Sequence, residues 1–477
     1  MEKVKKRLNF TEGKFVRNML AFALPIMIST LLQLLFNAAD IAIVGKMSGG
    51  NGTTYQAAVG STGSIIYFIV NLFVGISVGA NVAMATAYGA KDEEKQHRVV
   101  HSSMAISLVG GIFVAALGIS LASPILRLLK TETEVLPYAV LYMQLYFIGA
   151  PANVVYNFAA SIFRGVGETK KPLYYLFVSG VVNVIINIVT VVFLDMHIVG
   201  VALGTVVSQY VAAACVLFDL IREKSGAKYS PKKTRFYKKE TKNILFLGIP
   251  SGISSCCFSL ANMLMQSAVN TYGTIIVAGN TVSMNVDGFV DAVGASFGQA
   301  AVTAVGQNVG AKKYDRLKKA IGAGLFLCVV SNLICSVFML FCGKYVYGLY
   351  NSDTEVVKAA LVRMRFTTLF YATVAIMQIY GSALRGIGYS LLPMFVNLFC
   401  TCLFRVLWVA FIYPIKPCIE MIHVLFPITW VLSGVVQMIL YYICERRFLE
   451  KQNKFKSVGI KLPTADENSV ASTDKTE

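Results

Sequence analysis

Twelve apolar runs divide this chain, and that repetition limits its possible folds more than any other feature. They lie at 17–44, 57–84, 99–123, 136–160, 172–194, 198–221, 244–268, 275–303, 320–342, 357–381, 391–413 and 420–444. A run of about 20 apolar residues is long enough to cross a bilayer as a helix. No water in the hydrocarbon satisfies backbone groups, so each run closes its own hydrogen bonds by becoming helical. The expected fold class is therefore an all-α polytopic membrane protein with twelve transmembrane helices. Composition agrees, because 56% hydrophobic and only 14% charged residues leave too little charge to clothe a soluble globule of this length.

The net charge of +18 does not indicate nucleic acid, since the basic residues sit in short segments between the runs rather than on one soluble surface. With the N-terminus placed in the cytoplasm, the inside segments hold 34 Lys and Arg and the outside loops hold 6. The positive-inside rule then expects both termini in the cytoplasm of a multi-pass plasma (inner) membrane protein. The basic start is followed by no short apolar core with a small-residue cleavage site, so the first run is expected to be retained. Of ten cysteines almost all lie inside runs, which expects packing residues and not a disulfide framework. His97 and His101 lack a third ligand, so no metal and no cofactor is expected apart from a coupling ion.

A repeat organises the runs. Gly89-Ala90-Lys91 recurs as Gly310-Ala311-Lys312, Thr133-Glu134-Val135 as Thr354-Glu355-Val356, and Arg164 to Gly167 with Pro172 as Arg385 to Gly388 with Pro393, each at an offset of 221. Leu24-Pro25 and Asn37 match Ile249-Pro250 and Asn262 at 225, the difference falling in the Gly-rich loop Ser48 to Thr54. Four matches in near register expect two six-helix bundles. Six being even, both enter the membrane in the same direction, related by a pseudo-twofold axis along the membrane normal with a cleft between them. The expected divisions are a cytoplasmic segment 1–16, an N-lobe 17–221, a cytoplasmic loop 222–243, a C-lobe 244–445 and a disordered cytoplasmic tail 446–477.

Polar residues inside the runs mark the candidate chemistry. Gln33, Asn37 and Asp40 are spaced by four and three residues, which places them within about 60° of one another on one helical face. An intramembrane carboxylate costs about 2.5 to 3.5 kcal/mol, so Asp40 is expected to face a polar cavity or a partner and to act as a working ionisable group. By helical rise, Asn187 and Thr205 lie at the depth of Asp40, with Asn183 one turn deeper. Asp40, Asn183, Asn187, Thr205 and Asn37 are thus the expected ion-coupling residues. Their counterparts in the second half are Met265, Phe404 and Trp408 for Asp40, Asn183 and Asn187, so the cluster is expected in the first half alone. In the second half Asp287 and Asp291 share a face near mid-membrane, expected as a cation path, with pairing of Asp291 to an arginine such as Arg405 as the alternative. Gln33, Asp287, Asp291, Gln266 and Asn262 make up the expected substrate path.

These motifs resemble the multidrug and toxic compound extrusion (MATE) family over about residues 15–445. The resemblance rests on Leu24-Pro25 through Asp40 to Gly45, the Arg164 to Pro172 loop, Gly200 to Gln209, and Val305 to Ala311. It implies two bundles forming a V, and ion-driven export of cationic and amphiphilic organic compounds by alternating access, hence drug resistance. It also matches Asp40, Asn183 and Thr205 to the family's first-helix aspartate, fifth-helix asparagine and sixth-helix threonine. The departure is Asn187, where many members carry a second aspartate. Losing that charge weakens a sodium site and favours a proton. The implied partners are a small-molecule substrate and membrane lipid, with no nucleic acid, in a monomer. A flippase for a lipid-linked saccharide or other lipid of the same superfamily is the alternative, but such a protein needs cleft arginines or lysines in excess, and here acids balance Arg363, Arg365 and Arg405. An enzyme is not expected, because no nucleophile with a base and no paired metal motif can be assembled.

Overall fold

The computed structural model describes residues 7–47 and 52–457. Among them every regular element is helical. The elements are α1 (Phe15–Met47), α2 (Gly52–Gly89), α3 (Glu93–Leu128), α4 (Leu136–Ile148), α5 (Ala150–Gly165), α6 (Lys170–Ile188), α7 (His197–Arg222) and α8 (Lys238–Val269). Then come α9 (Thr274–Gly310), α10 (Asp315–Tyr350), α11 (Thr354–Thr367), α12 (Tyr371–Gly386), α13 (Leu391–Val396), α14 (Phe404–Leu407), α15 (Ile419–His423) and α16 (Leu425–Ser457). Eleven spans among the described residues are long and apolar enough to cross a membrane, and the bent pair α4 and α5 makes a twelfth. The protein is an integral membrane protein.

The fourth expected run, 136–160, is thus not straight. α4 and α5 meet at 46°. Pro151 stands in the first turn of α5, where it has no N–H to continue the ladder, and Gly149 leaves room for Gln209, whose Oε1 lies 2.1 Å from where a Cβ would be. A second departure is the tail. Residues 446–457 were expected to be disordered, yet α16 continues to Ser457 because Phe448 is buried against Tyr314 and Gln452 accepts from the Tyr314 hydroxyl at 3.1 Å. Residues 458–477 lie outside the described residues, as does most of the Gly-rich loop.

The chain divides into two compact units. The first comprises residues 7–8 and Ile28–Gly248, the second Asn9–Met27 and 249–457. Neither matches the expected lobes 17–221 and 244–445, because the first parts of α1 and α8 are exchanged. In the first unit α8 starts at Lys238, inside the expected loop 222–243, and touches α2 backbone to backbone. A Cβ on Gly79 would lie 2.2 Å from the Ile244 carbonyl oxygen, and one on Gly248 2.3 Å from that of Ile76. The loop before it docks on α3, with the Ser230 N–H donating to His101 Nε2 and the Tyr237 N–H to Ser102 Oγ, each at 3.1 Å. In the second unit the residues ahead of α1 are fixed by α9 and the turn that follows it. The Phe10 N–H donates to Gln307 Oε1 at 2.9 Å, and Lys313 Nζ donates to the Thr11 carbonyl at 3.0 Å.

The sequence repeat is also a backbone repeat. Lys91 and Lys312 both take the left-handed conformation, with φ of 55° and 57°, and Gly167 and Gly388 do so at 84° and 98°. Each pair ends a helix the same way: the Asp92 N–H donates to the Ala87 carbonyl at 3.1 Å, as the Lys313 N–H does to the Asn308 carbonyl at 2.9 Å.

Candidate functional site

Asp40 is buried in the first unit, 7% exposed, and three neutral groups from α6 and α7 converge on it. Asn187 Nδ2 donates to its Oδ1 at 2.6 Å, and Thr205 Oγ1 donates to Oδ2 at 3.5 Å. In the amide orientation that satisfies both of its ends, Asn183 donates to Oδ1 at 2.9 Å and accepts from the Thr205 N–H at 3.3 Å. No cation lies within ion-pair distance of Asp40 among the described residues.

Small residues create this meeting. A Cβ on Gly180 would fall 1.9 Å from the Phe36 ring, so α6 approaches α1 closely one turn before Asp40 and Asn183. On α7, a Cβ on Gly204 would fall 1.9 Å from Asn187 Oδ1. That oxygen is buried and has no hydrogen-bond partner. Directly after Asn187 the helix widens into a π turn, Val189–Phe193, a feature common near functional sites. Tyr142 and Tyr146 of α4 stand close enough to interact with the Asp40 charge. Neither they nor the two glycines figured among the expected site residues; the Gly200-x-x-x-Gly204 spacing is the signal that could have found the approach at α7.

Asp40, Asn183, Asn187 and Thr205 are therefore brought together. Asn37 and Gln33 are not; both are exposed, although they share a helical face with Asp40. The counterparts Met265, Phe404 and Trp408 form part of one apolar cluster in the second unit, as their side chains require.

In the second unit the expected path residues separate into two roles. Asp287 is the carboxylate with an arginine. Its Oδ2 accepts from Arg363 at 2.9 Å, and its Oδ1 accepts from the Tyr371 hydroxyl. Arg363 also donates to Asn280 Oδ1 at 2.8 Å, and Asn280 donates to Gln266 Oε1 at 2.6 Å. Gln266 thus belongs to a fixed network. Asp291 is not paired with Arg405, contrary to the expected alternative, because that guanidinium is used by Asn262 Oδ1 at 2.8 Å and Thr429 Oγ1 at 3.0 Å. Both arginines are buried, and Phe426 lies between them, 4.4 Å from one guanidinium and 4.6 Å from the other.

A helical membrane protein built twice over, with one buried carboxylate held by neutral donors in its first unit, has the architecture of an ion-coupled transporter and not of an enzyme. The MatE family model matches it twice, at residues 25–189 and 250–411, and the chain belongs to this family of multidrug efflux transporters. Among its relatives are the probable multidrug resistance protein YoeA of Bacillus subtilis, 28% identical over 80% of this chain and 84% of the relative, and the multidrug export protein MepA of Staphylococcus aureus, 22% identical over 75% and 78%. Solved structures share the fold. A crystal structure of MATE in complex with MaL6 superposes with a TM-score of 0.86 at 20% identity, covering 94% of this chain and all of that one. An outward-facing multidrug resistance MATE family transporter of the MOP superfamily superposes at 0.84 and 21%, with the same coverage.

Proposed function

We propose that this transporter is an antiporter that exports cationic and amphiphilic organic compounds by alternating access, in exchange for protons carried on Asp40. It works as a monomer in the plasma (inner) membrane, with both termini in the cytoplasm, a topology supported by the 34 to 6 distribution of basic residues. The carrying observation is that Asp40 accepts hydrogen bonds from Asn187, Asn183 and Thr205 and pairs with no second charge among the described residues. An amide can donate to a carboxylate and, turned over, accept from the protonated acid, so these neighbours serve both states of a proton carrier. A sodium ion would need several oxygens directed at it. Here Asn187 turns its N–H group to the carboxylate instead, as Asn183 does in the orientation that satisfies both of its ends. A lipid-linked saccharide flippase is not favoured, since Arg363 is neutralised by Asp287 and Arg405 is buried among neutral acceptors.

The test is dye efflux from everted vesicles driven by a proton gradient or a sodium gradient. The parent should respond to the proton gradient. Asp40→Asn should still insert and bind dye but lose more than about tenfold of the efflux rate, on the scale typical for a lost general acid or base. Asn187→Asp should gain sodium stimulation, because a second carboxylate raises the site's attraction for a cation. Strong sodium dependence in the parent, lost on Asp40→Asn, would overturn the proton assignment.

A further inference from the structure

The loop between α7 and α8, in the first unit, carries nine Lys and Arg against two Glu over residues 222–242. Charge that served orientation alone could stand free in water. Here the loop instead returns to two helices inside their apolar runs. The Tyr229 N–H donates to the Leu220 carbonyl at 3.0 Å, within the run that ends at 221. The Ser230 and Tyr237 N–H groups are bonded to His101 and Ser102, within the run that starts at 99. By helical rise His101 stands roughly 12 Å along α3 from Glu93. The segment between these anchors, Pro231 to Phe236, therefore lies where hydrocarbon meets head groups. Its side chains suit that level. Pro231–Lys233 form a tight turn, and the Thr234 hydroxyl after it meets the Tyr229 hydroxyl at 2.7 Å. Lys232, Lys233, Arg235 and Phe236 are all exposed, Phe236 by 53%. The Arg235 guanidinium lies over the Tyr237 ring at 4.4 Å. None of these three cations forms an ion pair among the described residues, because both glutamates of the loop are taken, Glu223 by Arg7 and the buried Glu240 by Arg98 at 3.8 Å.

We propose that residues 230–237 form a strap that binds anionic phospholipid at the bilayer interface, with Phe236 among the upper acyl chains and Lys232, Lys233 and Arg235 on the phosphates. The inference rests on the cytoplasmic placement of this loop for the leaflet concerned, and adds the class of lipid and the residues that recognise it. A cation near an anionic bilayer surface gains about fivefold in local binding, so three together select anionic over zwitterionic lipid strongly. Arg235 adds geometry. Its planar fork can donate two parallel N–H bonds to one phosphate, and stacking on Tyr237 leaves that edge free. Phe236 decides between a lipid and a soluble phosphate, because an exposed aromatic ring at head-group level gains from acyl chains and nothing from an ion in water. The backbone anchors on α3 and α7 order the segment beforehand, so little conformational freedom is lost when lipid binds.

The chain's two tryptophans, Trp408 and Trp430, both lie in the second unit. Full-length protein with Trp408→Phe, Trp430→Phe and Phe236→Trp therefore reports from the strap alone. It is reconstituted in symmetric bilayers of phosphatidylglycerol and phosphatidylcholine in equal amounts, with bromine on the acyl chains of one lipid or the other. Both faces then present the same lipids, so the readout does not depend on which way the loop points. Topology is read separately, from trypsin cleavage of the loop in everted and right-side-out vesicles. Emission should be quenched in both mixtures, and about threefold or more strongly when phosphatidylglycerol carries the bromine. Salt at about 1 M, where the screening length falls to about 3 Å, should bring the two mixtures together. Lys232→Gln, Lys233→Gln and Arg235→Gln combined should abolish the preference. Quenching with both lipids brominated should stay within about twofold in that variant, since Phe236→Trp keeps an aromatic ring at the interface and the strap stays seated. Lys232→Arg with Lys233→Arg, which keeps the charge, should keep the preference. No quenching by brominated lipid, equal quenching by the two lipids at low salt, or a preference that survives the combined Gln changes would each overturn the proposal.

Discussion

Gly204 shows how much of the Asp40 cluster depends on an atom that is absent. The position a Cβ would occupy is 1.9 Å from Asn187 Oδ1, so Gly204→Ala must push Asn187 off Asp40, to which it now donates at 2.6 Å. The expected result is proton-driven efflux reduced by about tenfold, with a fall in stability of about 1 to 3 kcal/mol from overpacking. Vesicle efflux and thermal unfolding of the same preparation check both. Efflux equal to the parent would show that Asn187 is not needed beside Asp40. The residues at this site differ in how far they could be read from the sequence. Asp40, Asn183, Asn187 and Thr205 were legible because a carboxylate and amides at one depth in apolar runs need each other. Asn37 and Gln33 share that face by periodicity and yet are exposed, since angular position along a helix does not say which neighbour covers it. The Arg363–Asp287 pair spans 76 residues and two helices, and no local pattern joins them. Which of Asp287 and Asp291 pairs with an arginine therefore required the packing.

At the scale of elements, helix existence followed directly from apolar length, whereas breaks and ends did not. The bend between α4 and α5 uses a glycine and a proline that are each common in membrane helices. The extension of α16 depends on Phe448 finding Tyr314, a contact from another helix. Residues 7–8, ahead of α1, are held in the first unit by similar long-range contacts. Arg7 pairs with Glu223 at 2.5 Å and donates to Ser225 Oγ at 3.1 Å, and the Leu8 N–H donates to the Gly167 carbonyl at 3.2 Å. Burial works against the Glu223 charge, but Arg7, the Lys224 N–H and Lys171 outweigh it and hold the carboxyl below its ordinary range. A lowered native value means that the pair's contribution is complete above the unfolded glutamate value of about 4.3 and disappears as pH falls through the native value. Glu223→Gln should remove it at neutral pH, at a cost of about 1 kcal/mol for a partly exposed pair. Hydrogen exchange at Leu8, corrected for intrinsic rates, is expected to quicken about fivefold in that variant at pH 7. In the parent it should quicken only on acidification below the glutamate range. Unchanged protection in the variant would assign the anchoring to Gly167 alone.

At the scale of the whole molecule, the duplication was legible from four short matches, and the paired left-handed positions at Lys91 and Lys312 and at Gly167 and Gly388 express it in the backbone. The exchange of helix ends was not, because a span reads the same in sequence whichever unit its first turns join. What decides it is close contact between small residues, which in lipid replaces a hydrophobic driving force between helices. In the first unit that contact is Gly79 on α2 against Gly248 on α8, where an added Cβ would lie 2.2 and 2.3 Å from the Ile244 and Ile76 carbonyl oxygens. Backbone cannot rotate away as a side-chain tip can. Gly79→Ala and Gly248→Ala should each therefore destabilise by about 1 to 3 kcal/mol. Gly322, in the interior of α10, has nothing within 4 Å of its added Cβ. Gly322→Ala should instead be neutral or stabilising by up to about 1 kcal/mol, from helix propensity alone. Thermal unfolding in detergent gives all three values against the parent. If the alanines at 79 and 248 cost no more than the one at 322, α8 is not seated on α2 through these glycines, and the start of that helix belongs with the rest of it in the second unit.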